Sequence, residues 1–453
     1  MTKSQLSYEM NEMKDWDLQH LWHPYTQMGT YADEQMMVTS ANGCYVTDAE
    51  GNPYMDGISG LWNVNAGHGR QEIIDSIYEQ LKALDFFPLN GYTYPSAAVL
   101  SKKLIDLAPD NLNRVFYCNG GSEANETAIK MVRAYWKLKG QAEKYKIVSL
   151  NSAWHGGTLG ALSASHIASE KRYFEPMPAG FIHMMRPDCY RKPEYMTEEE
   201  YGLYCANLLE EIIEHEDGDT IAAFLAEPIQ GVGGVKIPPA NYWPRIREIC
   251  DKHNILLIID EVATGFGRTG TPFAITQWGV QPDLLVCAKG ISSGYLPLSA
   301  VLTTEEIHLP FTQEGKYFQH GYTTGGHPAA CAAAVANIDL MEREGLLTQS
   351  EEKRNYMLNA FKSLLDLDLV GDVRGRGFMV CVELVNDKTT KEPYAHAKAL
   401  CRELRNAGII VRPIGNSIPF FPPLIITEEQ IDDAVSKYRR VLSEARIPAG
   451  ATV

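Results

Sequence analysis

Short apolar runs bounded by polar residues recur along the chain and predict strands buried on both faces of a sheet. The run at 255–259 contains only Ile and Leu and is far too short to cross a membrane as a helix. Similar runs stand at 115–118, 146–150, 221–226 and 284–287. After Glu123 the apolar residues have a one-sided helical spacing, at Ala124, Ala128, Met131, Val132 and Tyr135. From Ala329 onwards helical and strand patterns alternate up to a final helix, predicted from Thr427.

Three of the runs are followed by a side chain that can take part in catalysis. Glu227, Asp260 and Lys289 each follow one of them. Because parallel strands present their carboxyl ends at one edge of a sheet, two acids and one amine are expected along a single rim. Burial lowers the pKa of an amine, so such a lysine can form a Schiff base with an aldehyde. A neighbouring aspartate can hold a pyridine nitrogen protonated.

Each of these motifs also has a plainer interpretation. Asp260-Glu261 after an apolar strand resembles the magnesium-binding element of nucleotide hydrolases, and a lysine at a strand end is often a solvated cap. A magnesium and ATP site also needs a glycine-rich P-loop ending in Lys-Ser or Lys-Thr, and the chain contains none.

One strand-to-helix turn has the composition of an anion-binding site. Gly120 and Gly121 lead into a helix predicted to start near Glu123, with Ser122 as its cap. Free backbone N–H groups and the helix dipole would point at a bound anion, for which phosphate is expected. The same Gly-Gly-Ser sequence also occurs as a simple helix cap. Glu123 and Glu126 suit the dipole but would repel an anion unless their side chains point away.

Aromatic residues and turn signals indicate further parts of the structure. Trp154 follows a predicted strand and can stack on a planar ring, whereas His155 lacks a nucleophile partner and is expected to be structural. A proline among aromatic residues at 22–25 predicts an extended arm. Alternating polarity and turn residues between positions 38 and 56 predict a small antiparallel sheet.

Composition narrows the functional classes. The chain has 453 residues, 45% of them hydrophobic, which suffices for one large and one smaller domain. A formal net charge of −16 disfavours nucleic-acid and anionic-membrane partners. The nine cysteines include no C-x-x-C pair, so reduced thiols in a cytoplasmic protein are expected and neither disulfides nor a metal site. The polar N-terminal segment predicts neither a signal peptide nor a membrane anchor.

Three separated motifs resemble the class III (ω-type) aminotransferases, which belong to the fold type I enzymes dependent on pyridoxal 5′-phosphate. They read IIDEVATGFGRTG, CAKGISSGYLPLSA and GYTTGGHP, and the resemblance extends from about Trp22 to the last helix. It implies an α/β fold: a large domain with a mainly parallel central sheet, and a smaller α+β domain from the N- and C-terminal parts. The expected division is an N-terminal arm and part of the small domain at 1–60, a cofactor-binding domain at 61–328 and a C-terminal small domain at 329–453.

The resemblance also implies roles for individual residues. Lys289 would carry the cofactor as an internal aldimine, and Asp260 would pair with its pyridinium nitrogen. Cofactor contacts are implied for these two and for Gly120, Gly121, Ser122, Trp154, Glu227, Val262, Tyr322 and Thr323. Tyr322 and Thr323 would complete the phosphate site of a neighbouring subunit, so a homodimer or a dimer of dimers is expected. Substrate contacts are implied for Tyr25, Leu61, Trp62 and Arg412.

The activity implied is transfer of an amino group from an amine or ω-amino acid to a keto acid such as pyruvate, by ping-pong chemistry. Taurine, polyamines and β-alanine remain open as donors. One alternative is the adenosylmethionine-8-amino-7-oxononanoate aminotransferases of biotin synthesis, favoured by the HPYTQM sequence at 23–28. Leu61-Trp62 and Tyr322 disfavour that branch, which tends to carry paired tryptophans and a proline there. An aminomutase or decarboxylase on the same scaffold is a further alternative.

Overall fold

A computed structural model describes residues 8–445. The strands are, in chain order, β1 (Val38–Asn42), β2 (Tyr45–Asp48), β3 (Pro53–Asp56), β4 (Arg114–Cys118), β5 (Lys146–Leu150), β6 (Phe181–Met184), β7 (Ile221–Ala226), β8 (Leu256–Asp260), β9 (Leu284–Cys287), β10 (Ser299–Thr303), β11 (Val370–Arg376), β12 (Met379–Asp387), β13 (Glu392–Pro393), β14 (Ile409–Ile410) and β15 (Ser417–Phe420). Each apolar run identified in the sequence forms one of these strands, to within one residue at either end.

The helices are, in chain order, α1 (Met10–His20), α2 (Met28–Tyr31), α3 (Ser59–Trp62), α4 (Gln71–Ala83), α5 (Pro95–Leu107), α6 (Gly121–Leu138), α7 (Leu159–Ala164), α8 (Ala168–Lys171), α9 (Glu198–His215), α10 (Tyr242–Lys252), α11 (Glu305–His308), α12 (Pro328–Arg343), α13 (Glu351–Lys362), α14 (Ala397–Asn406) and α15 (Glu428–Glu444). The last helix begins one residue after Thr427 because Thr427 is its N-cap and forms a capping box with Gln430. None of the helices between residues 8 and 445 is both long and apolar enough to span a bilayer.

The central sheet has the strand order β4-β10-β9-β8-β7-β5-β6. The five strands from β9 to β6 in this order run parallel to one another, and β10 is antiparallel to both of its neighbours. Alternate residues of β7 pack into two separate apolar clusters, Phe224 in one and Leu225 in the other. The sheet is therefore buried on both faces, which explains why its strands appear in the sequence as continuous apolar runs.

Two smaller sheets use the ends of the chain. In the first, β1, β2 and β3 form the predicted antiparallel meander, and β14 adds to β3 in parallel. In the second, β12 pairs with β11, β13 and β15, all antiparallel. The pairing of β3 with β14 brings N- and C-terminal segments together. The proposed domain limits remain a prediction, and the residues at both extremes, 1–7 and 446–453, lie outside the described part.

The nine cysteines are free thiols, and eight of them are buried. Residues 21–27, which carry the predicted extended arm, lie between α1 and α2 outside regular structure. The predicted helix from Ala329 instead starts at Pro328 and continues to Arg343. Proline suits a first helical position because its fixed φ matches the helix and it has no N–H to leave unpaired.

Candidate active site

The adjacent parallel strands β7, β8 and β9 bring Glu227, Asp260 and Lys289 to one cavity of about 370 Å³. Glu227 directly follows β7, Asp260 is the last residue of β8, and Lys289 stands two residues beyond β9. The juxtaposition of two acids and one amine follows from strand order alone. It creates a site in which both acids act on the pKa of Lys289.

Lys289 occupies a strained and largely buried position. Its φ of 49° lies in the left-handed region that residues with a Cβ rarely adopt, which is characteristic of functional sites. Burial lowers the pKa of its ammonium group, while the carboxylates of Asp260 and Glu227 oppose that shift. The Nζ atom lies 5.0 Å from the ring centroid of Trp62. A larger share of this amine is therefore neutral, and able to act as a nucleophile or base, than of a solvated lysine.

Three donors fix the carboxylate of Asp260. Asn125 donates through Nδ2 to Oδ2 over 2.9 Å, and the backbone N–H of Val262 donates to Oδ1 over 3.0 Å. His155 Nδ1 lies 2.8 Å from Oδ2 and, when it carries the ring hydrogen, donates to it. The sequence suggested no role for Asn125 and only a structural role for His155. Their positions depend on the packing of α6 and of the loop after β5 against β8, which local patterns do not reveal.

Glu227 is almost completely buried, and its two oxygens face backbone donors. Trp154 N donates to Oε1 over 3.2 Å, and Gly231 N donates to Oε2 over 2.8 Å. Burial raises the pKa of this carboxyl to about 7, with a smaller contribution of the same sign from Asp260. Glu227 can therefore gain or lose a proton near neutral pH next to Lys289.

The N-terminus of α6 faces the same cavity. The helix starts at Gly121, earlier than the sequence indicated, and its N-cap Gly120 provides no side-chain cap. Ser122 was expected to cap the helix, and that prediction is wrong, because Ser122 lies inside the first turn and its Oγ accepts from Gly157 N over 3.0 Å. A Cβ on Gly121 would stand 2.9 Å from Val262 Cγ1, so glycine permits the close contact between α6 and the segment that follows β8. The first backbone N–H groups of the helix remain available to an anion.

The two glutamates of this helix are turned away from the cavity. Glu123 Oε2 accepts from the backbone and side-chain nitrogens of Asn119, at 2.8 and 2.9 Å. Glu126 Oε1 accepts from Gly160 N at 2.7 Å and Ala161 N at 3.1 Å, where it caps α7. Neither glutamate lines the cavity. The conflict between these carboxylates and a bound anion, which the sequence left open, is thus resolved by their hydrogen bonds.

A second cavity of about 670 Å³ adjoins the first and shares Trp62, Trp154, Val232 and Lys289 with it. The four residues expected to contact substrate all line this second cavity: Tyr25, Leu61, Trp62 and Arg412. Trp62 is buried, and its ring stacks on that of Phe421 with the centroids 4.6 Å apart. Leu61, Tyr25 and Arg412 are exposed to the cavity and solvent.

Tyr322 and Thr323 do not line either cavity of their own chain. Tyr322 OH donates to the backbone carbonyl of Glu123 over 3.1 Å, and Thr323 is exposed. The next residue, Thr324, donates to Asn119 Oδ1 over 2.9 Å. The loop thus packs beside the start of α6.

Arg268, in the GFGRTG motif, is a buried cation that the sequence did not single out as functional. Its guanidinium donates to Ser59 Oγ over 3.2 Å, to Asn65 Oδ1 over 2.7 Å, and to the carbonyls of Phe378 and Pro422. Burial lowers its pKa to about 9. Because Ser59 and Pro422 flank the stacked pair of Trp62 and Phe421, Arg268 supports the part of the second cavity's wall that Trp62 forms.

Comparison with known proteins agrees with this geometry. The sequence model of the family Aminotransferase class-III matches residues 28–442. The chain belongs to the class III aminotransferases. It is 40% identical over 435 residues to the adenosylmethionine-8-amino-7-oxononanoate aminotransferase of Geobacter sulfurreducens, covering 94% of this chain and 96% of that protein. It is also 40% identical over 419 residues to the putrescine–pyruvate aminotransferase of Pseudomonas aeruginosa, covering 90% of each.

Solved structures agree as well. An (S)-enantioselective omega-transaminase from Thermomicrobium roseum superposes with a TM-score of 0.93 at 42% identity, covering 97% of this chain and 99% of that one. An amine transaminase from an uncultivated Pseudomonas species, in its internal aldimine form with pyridoxal phosphate, gives a TM-score of 0.90 at 38% identity, covering 94% and 98%. The predicted family and fold are confirmed: this class III enzyme is a fold type I aminotransferase and uses pyridoxal 5′-phosphate.

The residues of the first cavity fit that cofactor. Its aldehyde needs an amine of lowered pKa, which Lys289 would supply, and its ring nitrogen needs a fixed carboxylate, which Asp260 would supply. The uncapped start of α6 suits its phosphate. Trp154 and Val262 line the same space and provide flat apolar surface for a ring.

Proposed function

We propose that this aminotransferase moves an amino group from an amine or ω-amino acid to a keto acid such as pyruvate, in two half-reactions at one site. The observation that carries the proposal is the position of Lys289, which lines both the cofactor-sized cavity and the larger cavity beside it. An amine held in the larger cavity would therefore have its reacting carbon next to the Nζ of Lys289.

Each residue of the site would have a separate task. The bound cofactor supplies an electron sink for the carbanion formed when the donor loses its Cα proton. Lys289, whose pKa burial lowers, would take that proton at Nζ and pass it to the bound cofactor, which leaves the Nζ amine neutral again for the next half-reaction. Asp260, held by three donors, would keep the ring nitrogen protonated. Trp62 and Phe421, stacked at 4.6 Å, would keep water from the reacting carbon.

Arg412 would bind the carboxylate of the keto acid. It is exposed at the end of β14 and lines the larger cavity, where its guanidinium can form two parallel bonds to a carboxylate. An exposed arginine can also turn aside for a donor that has no carboxylate at that position. This freedom supports a range of amine donors.

A homodimer would complete the cofactor site. Tyr322 and Thr323 line neither of the two cavities described above, and Thr323 is exposed, which would allow this loop to contact the phosphate site of a second copy. Exposed apolar side chains, such as Phe87 and Tyr92 at 45% and 60% exposure, support burial against such a copy. Co-expression of Lys289→Ala with Thr323→Ala tests this arrangement, because a mixed dimer would contain one intact site. Activity above the sum of the separate variants supports it, and strict additivity contradicts it.

The similarity to the G. sulfurreducens enzyme favours a second candidate function, amino transfer from S-adenosylmethionine to 8-amino-7-oxononanoate. Against it, Leu61 stands half exposed in the substrate cavity beside Trp62, where that branch tends to carry a second tryptophan.

The deciding experiment is an absorbance scan of the holoenzyme before and after addition of 1-phenylethylamine, then pyruvate, with Lys289→Ala as control. Loss of the cofactor band with amine and its return with pyruvate, only when Lys289 is present, supports the pyruvate-linked function. A band that responds to S-adenosylmethionine alone supports the second candidate. A band that responds to neither contradicts both.

A further inference from the structure

The larger cavity extends from Lys289 to a group of charged side chains that has no part in the chemistry described above. This group is called the distal cluster, and three separate parts of the chain contribute to it: the segment after β6, the turn after β7, and the sheet of β11 and β12. All its members line the cavity, namely Arg186, Asp188, Arg191, Lys236, Arg374 and Glu383.

Glu383 is the centre of the distal cluster. Lys236 Nζ lies 3.1 Å from its Oε2 and 2.8 Å from Asp188 Oδ2, while Arg374 Nη1 lies 2.7 Å from the same Oε2. Arg191 pairs with its other oxygen. Burial alone would raise the pKa of Glu383, but the neighbouring Arg374, Lys236 and Arg191 lower it to about 2. The carboxylate therefore stays ionised and holds several cations around itself.

The accessible part of the distal cluster is cationic. The side chains of Glu383, Lys236 and Asp188 are only 3%, 5% and 11% exposed. In contrast, those of Arg186 and Arg191 are 22% and 33% exposed. A molecule in the cavity therefore meets two guanidinium groups, while most of the compensating negative charge lies underneath them.

The charges around the cavity do not cancel. Apart from Lys289, five cations line it, Arg412 and four from the distal cluster, against the three carboxylates of Glu170, Asp188 and Glu383. Asp372, which lies outside the cavity, pairs with Arg374. When its charge is added to those of the three carboxylates, one positive charge remains in excess. Burial lowers the pKa of Arg186, and the nearby Arg374 and Arg191 act in the same direction, while Asp188 and Glu383 act against it. An anion between these guanidinium groups would relieve their repulsion.

We propose that Arg186 and Arg191 form a second anion site, separate from Arg412, that binds a terminal carboxylate or sulfonate of the amine donor. Such a donor carries its acidic group several bonds from the reacting amine. This inference rests on the proposed function and narrows its substrate class. Arg186 is the cleaner of the two to alter, because its cluster contacts are Asp188 at 3.7 Å and the carbonyl of Gly233 at 3.0 Å.

The distal cluster also joins the large sheet to the sheet of β11 and β12, so a role in structure alone must be distinguished. Loss of a structural contact would lower the melting temperature and reduce the reaction of every donor alike. Loss of an anion site would change only the donors that carry the anion. A comparison of donors of equal length but different terminal charge separates the two roles.

The test measures alanine formation from pyruvate with hexylamine, 6-aminohexanoate and 1,6-diaminohexane as donors to the holoenzyme. We expect the unaltered enzyme to prefer 6-aminohexanoate. Arg186→Gln should lower kcat/KM for this donor by about tenfold or more, mainly through KM, as loss of one charge-assisted hydrogen bond requires. Hexylamine should react as before. Arg186→Lys should restore part of the preference. Arg245→Gln, a surface change on α10, should leave it intact.

Other results would overturn the inference. Equal losses with hexylamine and 6-aminohexanoate would mean that Arg186 is structural. A preference for 1,6-diaminohexane would mean that the carboxylates of the cavity, not its guanidinium groups, select the donor. If Arg186→Gln keeps the preference for 6-aminohexanoate and Arg412→Gln loses it, the anion binds at Arg412. If no amine yields alanine, the proposed function itself fails and this inference with it, whereas reaction of hexylamine alone leaves that function standing.

Discussion

His155 Nδ1 lies 2.8 Å from Asp260 Oδ2, and neither side chain is more than 3% exposed. The other ring nitrogen, Nε2, is buried and has no hydrogen-bond partner within residues 8–445. Within the described residues, the carboxylate of Asp260 is therefore the only hydrogen-bond partner of the His155 ring nitrogens. His155 is thus a positioning residue for Asp260, and its effect on the reaction must pass through that carboxylate.

Replacement of His155 by phenylalanine should therefore lower kcat by about tenfold while the fold is kept. The ring volume is retained, but Asp260 loses one of its three donors, and loss of a hydrogen bond to a charged group corresponds to a factor of this size. Steady-state kinetics with a fixed amine and pyruvate, together with a cofactor titration, measure the effect. His155→Gln keeps a donor in reach and should recover part of the loss. Equal damage in both variants would contradict a role that depends on donation.

The two glycines at the start of α6, the N-cap Gly120 and the first helical residue Gly121, offer a matched pair of substitutions that locates the phosphate. A Cβ on Gly121 would meet Val262 Cγ1 at 2.9 Å, whereas one on Gly120, whose φ of −141° suits any residue, has nothing within 4 Å. Gly121→Ala should lower the melting temperature of the apoenzyme. Gly120→Ala should leave the apoenzyme stable but weaken cofactor binding, because its methyl group enters the cavity. Unchanged cofactor affinity in Gly120→Ala would place the phosphate elsewhere.

The rim of the site could be predicted from sequence because it depends on one local property, the position of a polar residue after an apolar run. Glu227, Asp260 and Lys289 each follow an apolar run, and parallel strands bring such positions together whatever the rest of the chain does. The start of α6 was less predictable. Ser122 has the chemistry of a cap, but the close packing of Gly121 on Val262 allows the helix to begin earlier.

Asn125, His155 and Arg268 could not be assigned their roles from sequence. Asn125 occupies an ordinary position on the buried side of α6, and its contact with Asp260 spans 135 residues of sequence. Arg268 would normally be placed at the surface, since an arginine is seldom fully buried without a partner. It is buried because four acceptors from three distant segments converge on it, which only the assembled fold reveals.

Glu261, a buried acid that takes no part in the reaction, should make the free energy of unfolding depend on pH. Burial raises the pKa of Glu261 from 4.5 to about 7 in the folded chain. The folded state thus holds this proton more tightly than the unfolded state does. The resulting stabilisation is complete below pH 4.5 and is lost as the pH rises through about 7, a change of about 3 kcal/mol.

Glu261→Gln should remove this dependence. Glutamine can accept from Ile275 N, which Glu261 does over 2.7 Å, and can donate to the Thr264 hydroxyl. The measurement is the melting temperature of both proteins across the pH range. The melting temperature of the variant should increase relative to that of the unaltered enzyme as the pH rises from 4.5 to above 7. Glu227 titrates in the same range in both proteins, so its contribution cancels in the difference. A constant difference would mean that Glu261 is ionised throughout.

Arg268→Met should both destabilise the enzyme and weaken substrate binding. The carbonyls of Phe378 and Pro422 and the side chain of Asn65 would lose their buried donor, and each unpaired group costs about 1–3 kcal/mol. The wall formed by Trp62 and Phe421 would lose its support at Ser59 and Pro422.

For Arg268→Met we therefore expect a lower melting temperature and a higher KM for bulky amines. Arg268→Lys should recover little, because one ammonium group cannot reach acceptors that a planar guanidinium spans. Arg439→Met, which removes an exposed ion pair with Asp366, is the control and should change neither quantity. If Arg268→Met melts at a lower temperature but binds bulky amines as before, the cavity wall does not depend on this arginine, and its role is confined to stability.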